Sequence, residues 1–183
     1  MSDNRGSPMD PLNFEFLKNR YDYELTRKEQ LTSSLGLPVG VLGGLGSLLA
    51  VMIRSFTYGW TVRTYLFVLL IVPAICSFFA CMIQLARAYH RQKYKYLPLL
   101  KELDEKLNEW RAFYEEAGYA GSEQDFFSHD LRTHIIEAAD RNTENNDARS
   151  SLLFWSRVWL FWLLGFATAV GIAYVANQVR FHA

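Results

Sequence analysis

Three apolar runs, each about as long as a bilayer is thick, constrain this chain more than any other feature. They occupy residues 35–53, 65–85 and 152–176, and Arg157 is the only charged residue inside them. A hydrocarbon core of about 30 Å needs about 20 residues of helix to cross it. Because unpaired backbone amides are costly in lipid, such runs cross a membrane as helices. We therefore predict an all-α integral membrane protein, with transmembrane helices over residues 35–53, 62–86 and 152–177.

The distribution of lysine and arginine predicts the orientation of the chain. Of these nineteen residues, sixteen lie before residue 35 or between Arg87 and Arg157. Cationic flanks stay on the cytoplasmic side of a membrane. We therefore expect the N-terminus and residues 87–151 in the cytoplasm and the C-terminus outside. The first 34 residues lack the short apolar core of a cleavable signal peptide, so residues 35–53 are expected to remain as an anchor.

The segments before and after the first two runs have patterns of their own. Residues 1–11 contain two prolines and a glycine without an apolar period, which predicts a mobile tail. Residues 12–34 predict a cytoplasmic amphipathic helix, because apolar side chains recur there every three or four positions. These are Phe14, Leu17, Tyr21 and Leu25. No helix breaker follows the second run before Pro98, so its helix is expected to project from the bilayer as far as Tyr96.

Residues 87–151 predict a cytoplasmic helical region that contains a small helical hairpin. The first arm has a seam that suits a short coiled coil or packing within the chain. The seam consists of Leu100, Leu103, Leu107, Trp110, Tyr114 and Ala117. Gly118 and Gly121 are expected to end this arm, and residues 122–125 resemble a capping box that begins the next. The second arm has Phe127, Leu131, Ile135 and Ala138 as its apolar stripe, and the polar sequence NTENND at residues 142–147 predicts a loop before the third run.

Small residues recur every three or four positions in two of the apolar runs. The first run contains Gly36, Gly40, Gly44 and Ser47, and the third contains Gly165, Ala169, Ala173 and Asn177. Such stripes let helix backbones approach closely in lipid, where the hydrophobic effect does not press helices together. We predict helix packing or pore lining by these residues and by Ser77 of the second run. Packing of the two stripes within one chain, packing between subunits and pore lining all remain open.

The sequence predicts no enzyme, cofactor or metal site. It has no glycine-rich phosphate loop, no recognisable nucleophile motif and no paired-cysteine metal spacing. Cys76 and Cys81 lie on different sides of one helix, so no disulfide is expected. The sequence HDLRTH brings Asp130 and His134 onto one helix face near Glu137, which is more typical of a solvated helix than of a metal site. The apolar runs contain no Asp or Glu, which argues against a proton-coupled transporter.

The stretch RAYHRQKYKY, directly after the second run, is the best candidate for ligand binding. Its cationic residues and histidine are Arg87, His90, Arg91, Lys93 and Lys95, and three tyrosines alternate with them. Arginine and lysine neutralise phosphates, while tyrosines stack on bases or lie at a lipid interface. Three interpretations fit: a positive flank that only fixes orientation, contact with anionic lipid headgroups, or binding of a nucleotide or oligonucleotide.

The layout of more than half of the chain is similar to that of a known family. It combines an amphipathic N-terminal helix, the close apolar runs SLGLPVGVLGGLGSLLAVMI and TYLFVLLIVPAICSFFACMI, and the basic helix RAYHRQKYKYLPLLKEL. In this layout, residues 12–117 resemble the SLATT-type membrane effectors of bacterial antiphage systems. The third apolar run departs from a plain two-span effector.

The resemblance implies a homo-oligomeric effector in the bacterial inner membrane, of the CBASS or Hailong type. It implies cytoplasmic helices that sense a nucleotide or short nucleic acid made by a partner enzyme, and a pore whose opening depolarises the infected cell. A competing hypothesis is a non-conducting membrane adaptor that recruits a soluble partner through the seam that begins at Leu100.

Overall fold

The computed structural model describes residues 14–90, 93–118 and 123–179. These residues are mostly helical, and no strand occurs among them. The helices are α1 (Phe14–Ser33), α2 (Gly36–Ser55), α3 (Val62–His90), α4 (Leu100–Glu116) and α5 (Glu123–Val179). The prediction of an all-α chain is confirmed. Three helical stretches are long and apolar enough to cross a membrane, Phe14–Ser55, Val62–His90 and Phe127–Val179.

The chain divides into two compact units. The first, called the polar unit here, comprises the described residues within Met1–Glu29 and Lys93–Asn146. The second, called the apolar unit, comprises the described residues within Gln30–Gln92 and Asp147–Ala183. Helices α1 and α5 each contribute residues to both units, whereas α2 and α3 belong to the apolar unit and α4 to the polar unit.

The core of the apolar unit is built from one face of each of three helices. Leu35, Leu42 and Leu49 are buried and seven residues apart, and seven residues are almost two turns of helix, so the three leucines share one face. The faces that meet them repeat every three or four residues in the same way. On α3 they include Phe67, Ile71, Ala74, Cys81, Leu85 and Ala88, and on α5 Leu153, Leu163, Ala167 and Val170. The helical period of the apolar side chains thus produces a three-helix bundle.

The core of the polar unit is smaller and joins α1 to the early part of α5. Leu17 and Tyr21 from α1 pack with Ile135, Ala138 and Ala139 from α5. Leu25, Leu97 and Leu131 pack on this cluster and are partly buried. The apolar stripes predicted for residues 12–34 and for the second hairpin arm therefore contact each other, although Phe14 is exposed.

The predicted extension of the second helix to Tyr96 is wrong. Helix α3 ends at His90, and residues 93–99 are not helical. Two causes act on this segment. Pro98 disfavours the helical conformation for the residue before it, and the backbone of Lys95 bonds to a side chain from α5 rather than to its own helix.

The predicted loop at residues 142–147 is also wrong, because α5 continues through it without a break. Asparagine disfavours helix interiors when its side chain competes for nearby backbone groups. Here Asn142 and Asn146 bond to residues far away in the chain instead, so that competition is absent.

Of the predicted helix ends, the one at Gly118 is confirmed and others lie outside the described residues. Gly118 ends α4 with a φ of 75°, a left-handed conformation that glycine adopts without strain. Between α1 and α2, Ser34 and Leu35 form a turn in which the Leu35 amide donates to the Thr32 carbonyl at 3.2 Å. The predicted mobile tail, Gly121 and the side chains of the predicted capping box lie outside the described residues.

Candidate functional site

Three asparagines of α5 form a buried, hydrogen-bonded polar site in the polar unit. Asn142, Asn145 and Asn146 are buried, and we call them the asparagine clamp. Asn142 Oδ1 accepts from the Lys95 amide at 2.9 Å, and Asn142 Nδ2 donates to the Lys95 carbonyl at 3.0 Å. Asn145 Nδ2 donates to the Lys93 carbonyl. The clamp thereby satisfies the backbone of a segment that has no helix or strand of its own.

The third asparagine connects the same segment to a buried carboxylate. Asn146 Oδ1 accepts from the Tyr94 hydroxyl at 2.6 Å, and Asn146 Nδ2 donates to Glu24 Oε2 at 2.9 Å. The Glu24 side chain is fully buried, and Arg20 Nη2 lies 3.0 Å from Glu24 Oε1. Arg27 Nη1 lies 3.6 Å from the other carboxylate oxygen. Since a buried carboxylate needs charge and hydrogen-bond partners, this network stabilises α1 against α5.

The clamped segment holds cationic side chains beside a surface depression. The depression has a volume of about 430 Å³ and is lined by Lys93, Tyr94, Lys95, Glu137 and Arg141. Lys95 Nζ donates to Glu137 Oε2 at 2.5 Å. This hydrogen bond, with the charge of Lys95, lowers the pKa of Glu137. Among the described residues, no hydrogen bond or ion pair involves the side-chain charges of Lys93 or Arg141, so both are available to an anion.

An aromatic and cationic group borders the same segment. Lys28 Nζ lies 5.0 Å from the centre of the Tyr94 ring and 5.3 Å from that of Tyr96. It also donates to the Tyr96 hydroxyl at 2.7 Å. Cation–π contacts of this geometry orient the rings. The arrangement presents lysines and tyrosines together, the combination that binds phosphates and stacks on bases.

The structure divides the predicted ligand-binding residues between the two units. Lys93 and Lys95 lie in the polar unit on the clamped segment, whereas Arg87 and His90 lie in the last turn of α3 in the apolar unit. Arg91 lies outside the described residues. Sequence reasoning treated the five as one continuous helix. Because α3 ends at His90, Lys93 and Lys95 do not continue that helix.

No described residue packs closely on the predicted glycine stripe of α2. A Cβ atom added at Gly36, Gly40 or Gly44 would meet no heavy atom of the described residues within 4 Å. Ser47, the fourth member, is exposed and donates to the Gly43 carbonyl at 2.9 Å. The leucines of α2 occupy the interior instead, because larger side chains fill the space between three helices.

Other glycines make the close helix contacts of the apolar unit. A Cβ atom at Gly46 would lie 2.8 Å from Phe78 Cε2 on α3, and one at Gly171 would lie 3.4 Å from Met52 Cε on α2. Packing of the glycine stripe of α2 against the stripe of the third run, one of the alternatives that the sequence leaves open, is not among these close contacts. Both stripes have the spacing expected for close packing, but spacing alone does not say which face of a helix turns inward.

The remaining predicted packing residues lie at different depths. Ser77 and Asn177 are buried, Ala169 is half-buried, and Gly165 is exposed with open space around it. Ser77 and Asn177 thus belong to the interior of the bundle. Nδ2 of Asn177 has no hydrogen-bond partner among the described residues, and it lies beside a depression of about 350 Å³ that Arg63 also lines.

Sequence reasoning missed a buried arginine in the apolar unit. Arg149 is 0% exposed; its Nε donates to the Ala88 carbonyl and its Nη2 to the Thr32 hydroxyl, each at 3.2 Å. Arginine supplies five donors in a fixed plane and so connects several acceptors at once. Its signal in the sequence was its spacing, because Arg149 lies four residues before Leu153 on the buried face of α5.

Asp130 and His134 of α5 lie close together, and the carboxylate of Asp130 pairs with a lysine of α4. Asp130 accepts from Lys106 Nζ of α4 at 2.7 Å, and His134 Nε2 lies 3.7 Å from the same carboxylate. In the described part of the chain, no three His, Cys, Asp or Glu side chains come together as metal ligands. The lysine links the two arms of the hairpin.

Comparison of the chain with protein-family models, with curated proteins and with solved structures found no match. Neither a family nor a structural neighbour therefore assigns a ligand to the polar unit or a role to the apolar helices.

Proposed function

We propose that the chain is an oligomeric membrane effector that forms a gated pore or ion channel in the bacterial inner membrane, in line with its resemblance to SLATT-type effectors. In this proposal the N-terminal region and residues 87–151 face the cytoplasm. A nucleotide or short nucleic acid, made by a partner enzyme, acts on the cytoplasmic helices. Opening of the pore disrupts the membrane potential in antiphage defence.

The observation that supports this proposal most is the open glycine face of α2. Gly36, Gly40 and Gly44 lie on an apolar helix, and in the described part of the chain no atom lies within 4 Å of a Cβ added at any of them. In lipid, a face of this kind allows a helix from another subunit to approach closely. Three helices of one chain enclose no water-filled path, so a pore requires several copies around an axis.

The ligand part of the proposal is supported by the depression beside the clamped segment. Lys93 and Arg141 line the depression and offer charges for phosphate groups. The Tyr94 ring also lines it, and the exposed ring of Tyr96 follows two residues later as a candidate for stacking. The hydrogen bonds of the asparagine clamp fix the backbone between these side chains, so little order would have to be gained on binding.

Reconstituted liposomes test the proposal directly. Purified protein should release a trapped ion indicator, and Gly40→Leu or Gly44→Leu should abolish that release by blocking close approach of neighbouring copies. Ala86→Leu is the matched control, because Ala86 is an exposed small residue on α3 outside the stripe. Release that is unaffected by both glycine substitutions, or no release from wild-type protein at any ligand concentration, would count against a pore.

A second candidate is the non-conducting adaptor, and an exposed aromatic patch on α4 favours it. Phe113 is 65% exposed and lines a depression of about 300 Å³ together with Glu109, Trp110 and Tyr114. Exposed aromatic side chains of this kind are typical anchors for a protein partner. Membrane potential during expression separates the two functions: depolarisation with growth arrest supports the pore, while harmless expression with a co-purifying partner that Phe113→Ala releases supports the adaptor.

A further inference from the structure

The apolar unit has an unusual charge balance. No Asp or Glu occurs between Glu29 and Glu102 or after Asp147. Within the residue ranges of the unit the chain therefore has seven arginines and a single acidic residue. Since an unpaired charge in or near lipid is expensive, an arginine of this unit that has no partner among the described residues is expected to pair with an anion from outside the chain.

Arg157 is an arginine of the apolar unit without a partner among the described residues. It is exposed on α5, and no hydrogen bond or ion pair joins it to any residue in the described ranges. It lies five residues inside the predicted third span, which is about 8 Å along a helix. An arginine at that depth extends its guanidinium toward the headgroup region while its stem stays on apolar surface.

A groove with mostly apolar walls begins beside Arg157. It has a volume of about 560 Å³ and runs between α2 and the later part of α5. Ser34 and Arg157 lie at one end, and Val41 and Leu164, each seven residues further along, lie at the other. Apolar side chains form the remaining wall, namely Leu37, Pro38, Leu160 and Phe161. Seven residues of helix are about 10 Å long, enough for much of an acyl chain.

We propose that this groove is a binding site for an anionic phospholipid, with the lipid phosphate paired to Arg157 and one acyl chain lying along the groove toward Val41 and Leu164. Positive charge at one end and apolar walls beyond it match the two parts of a phospholipid. The proposal rests on the membrane insertion in the proposed function and is independent of ion conduction.

A second copy of the chain fits the groove less well. It would have to bring an acidic group to the depth of Arg157, and the apolar runs contain none. A second copy that packed there would bury Arg157 without a partner, at a large cost in free energy. A lipid phosphate supplies the charge without that cost.

Native mass spectrometry of the purified protein tests the site with two lipids, phosphatidylglycerol and phosphatidylcholine. The wild-type protein should retain phosphatidylglycerol about five-fold better, the ratio expected for one arginine that favours a lipid of net negative charge over the zwitterionic phosphatidylcholine. Arg157→Gln should remove this preference and Arg157→Lys should largely keep it. Arg54→Gln is the matched control, since Arg54 is an exposed arginine of the same unit that does not line the groove.

The proposed contact between the acyl chain and the groove is tested separately. Leu160→Trp should fill the groove and lower retention of phosphatidylglycerol, and inorganic phosphate should not displace the lipid from wild-type protein. Displacement by phosphate alone would reduce the site to an anion site and overturn the acyl-chain contact. Equal retention of the two lipids by wild-type protein, or an unchanged preference in a folded Arg157→Gln variant, would overturn the proposal.

If Arg157→Gln does not fold, a photoreactive residue at position 161 of otherwise wild-type protein decides the question. It should label phosphatidylglycerol, and labelling of a second copy instead would overturn the proposal. None of these readouts uses ion release. If the protein prefers phosphatidylglycerol but releases no ions, the lipid site stands and the pore is contradicted. If it releases ions but shows no lipid preference, the pore stands and the lipid site is overturned.

Discussion

Asn142 and Lys95 are joined by a two-way hydrogen-bonded pair in which the asparagine amide accepts from the lysine N–H at 2.9 Å and donates to the lysine carbonyl at 3.0 Å. The amide of Asn142 thereby replaces the backbone partner that Lys95 would have in a helix or sheet. The pair explains why a non-helical segment after α3 has a defined backbone.

Loss of this pair should destabilise the polar unit. Asn142→Ala leaves a partly buried N–H and carbonyl without partners, which costs about 1–3 kcal/mol for each unsatisfied group. We expect a lower thermal midpoint in detergent, measured by circular dichroism at 222 nm. Glu144→Ala is the control, because Glu144 is exposed on the same helix. If Asn142→Ala and the control had the same thermal midpoint, the hydrogen bonds between Asn142 and Lys95 would contribute little to stability.

The two kinds of glycine on α2 should respond differently to a larger side chain. Gly46→Leu places atoms where Phe78 lies, because even a Cβ would be 2.8 Å from Cε2 of that ring. Overpacking of this kind typically costs about 1–3 kcal/mol, so the unfolding midpoint of the protein should fall. Gly44→Leu meets no atom of the described residues, so it leaves the packing of the single chain intact and should lower that midpoint less than Gly46→Leu does.

The state of assembly gives the complementary readout. If α2 packs between subunits through its glycine face, Gly44→Leu should shift the particle to a smaller size in size-exclusion chromatography with light scattering. A Gly44→Leu protein with wild-type size and a lowered midpoint would mean that the face packs within one chain after all.

The apolar faces show how far sequence reasoning could reach. Helix positions and the stripe of α1 followed from periodicity, because a buried face must repeat every three or four residues. On α2, however, the leucines and the glycines both have that spacing. The choice between them depends on the volume to be filled by α3 and α5, which no local pattern contains.

The asparagine clamp is a buried site that the local sequence did not reveal. A run of asparagines predicts a loop by composition, although Asn142, Asn145 and Asn146 have the spacing of one helix face. The partners of these side chains lie about 50 to 120 residues away in the chain, in α1 and after α3. Contacts of that sequence separation are decided by the fold and leave no local signal.

Acid should weaken the contact between Lys95 and Glu137. Its hydrogen bond and charge lower the pKa of Glu137 below the ordinary value of 4.5, so the carboxylate is stabilised in the folded protein. That contribution is fully present above pH 4.5 and is lost as the pH falls through the lowered pKa. The carboxyl resonance of Glu137 in an NMR titration should report the lowered value, and Lys95→Met should raise it. An unchanged titration in Lys95→Met would contradict the contact.

Arg149 should tolerate lysine poorly although the charge is kept. Its guanidinium reaches Ala88 and Thr32 at once, and it is fully buried. A lysine carries one ammonium group and cannot reproduce that planar set of donors, so at least one acceptor loses its partner. We expect Arg149→Lys to lower the free energy of unfolding by about 1–3 kcal/mol. Arg141→Lys, an exposed arginine on the same helix, is the control and should be nearly neutral. Equal stability of the two variants in a denaturant titration would show that the buried guanidinium acts as a charge alone.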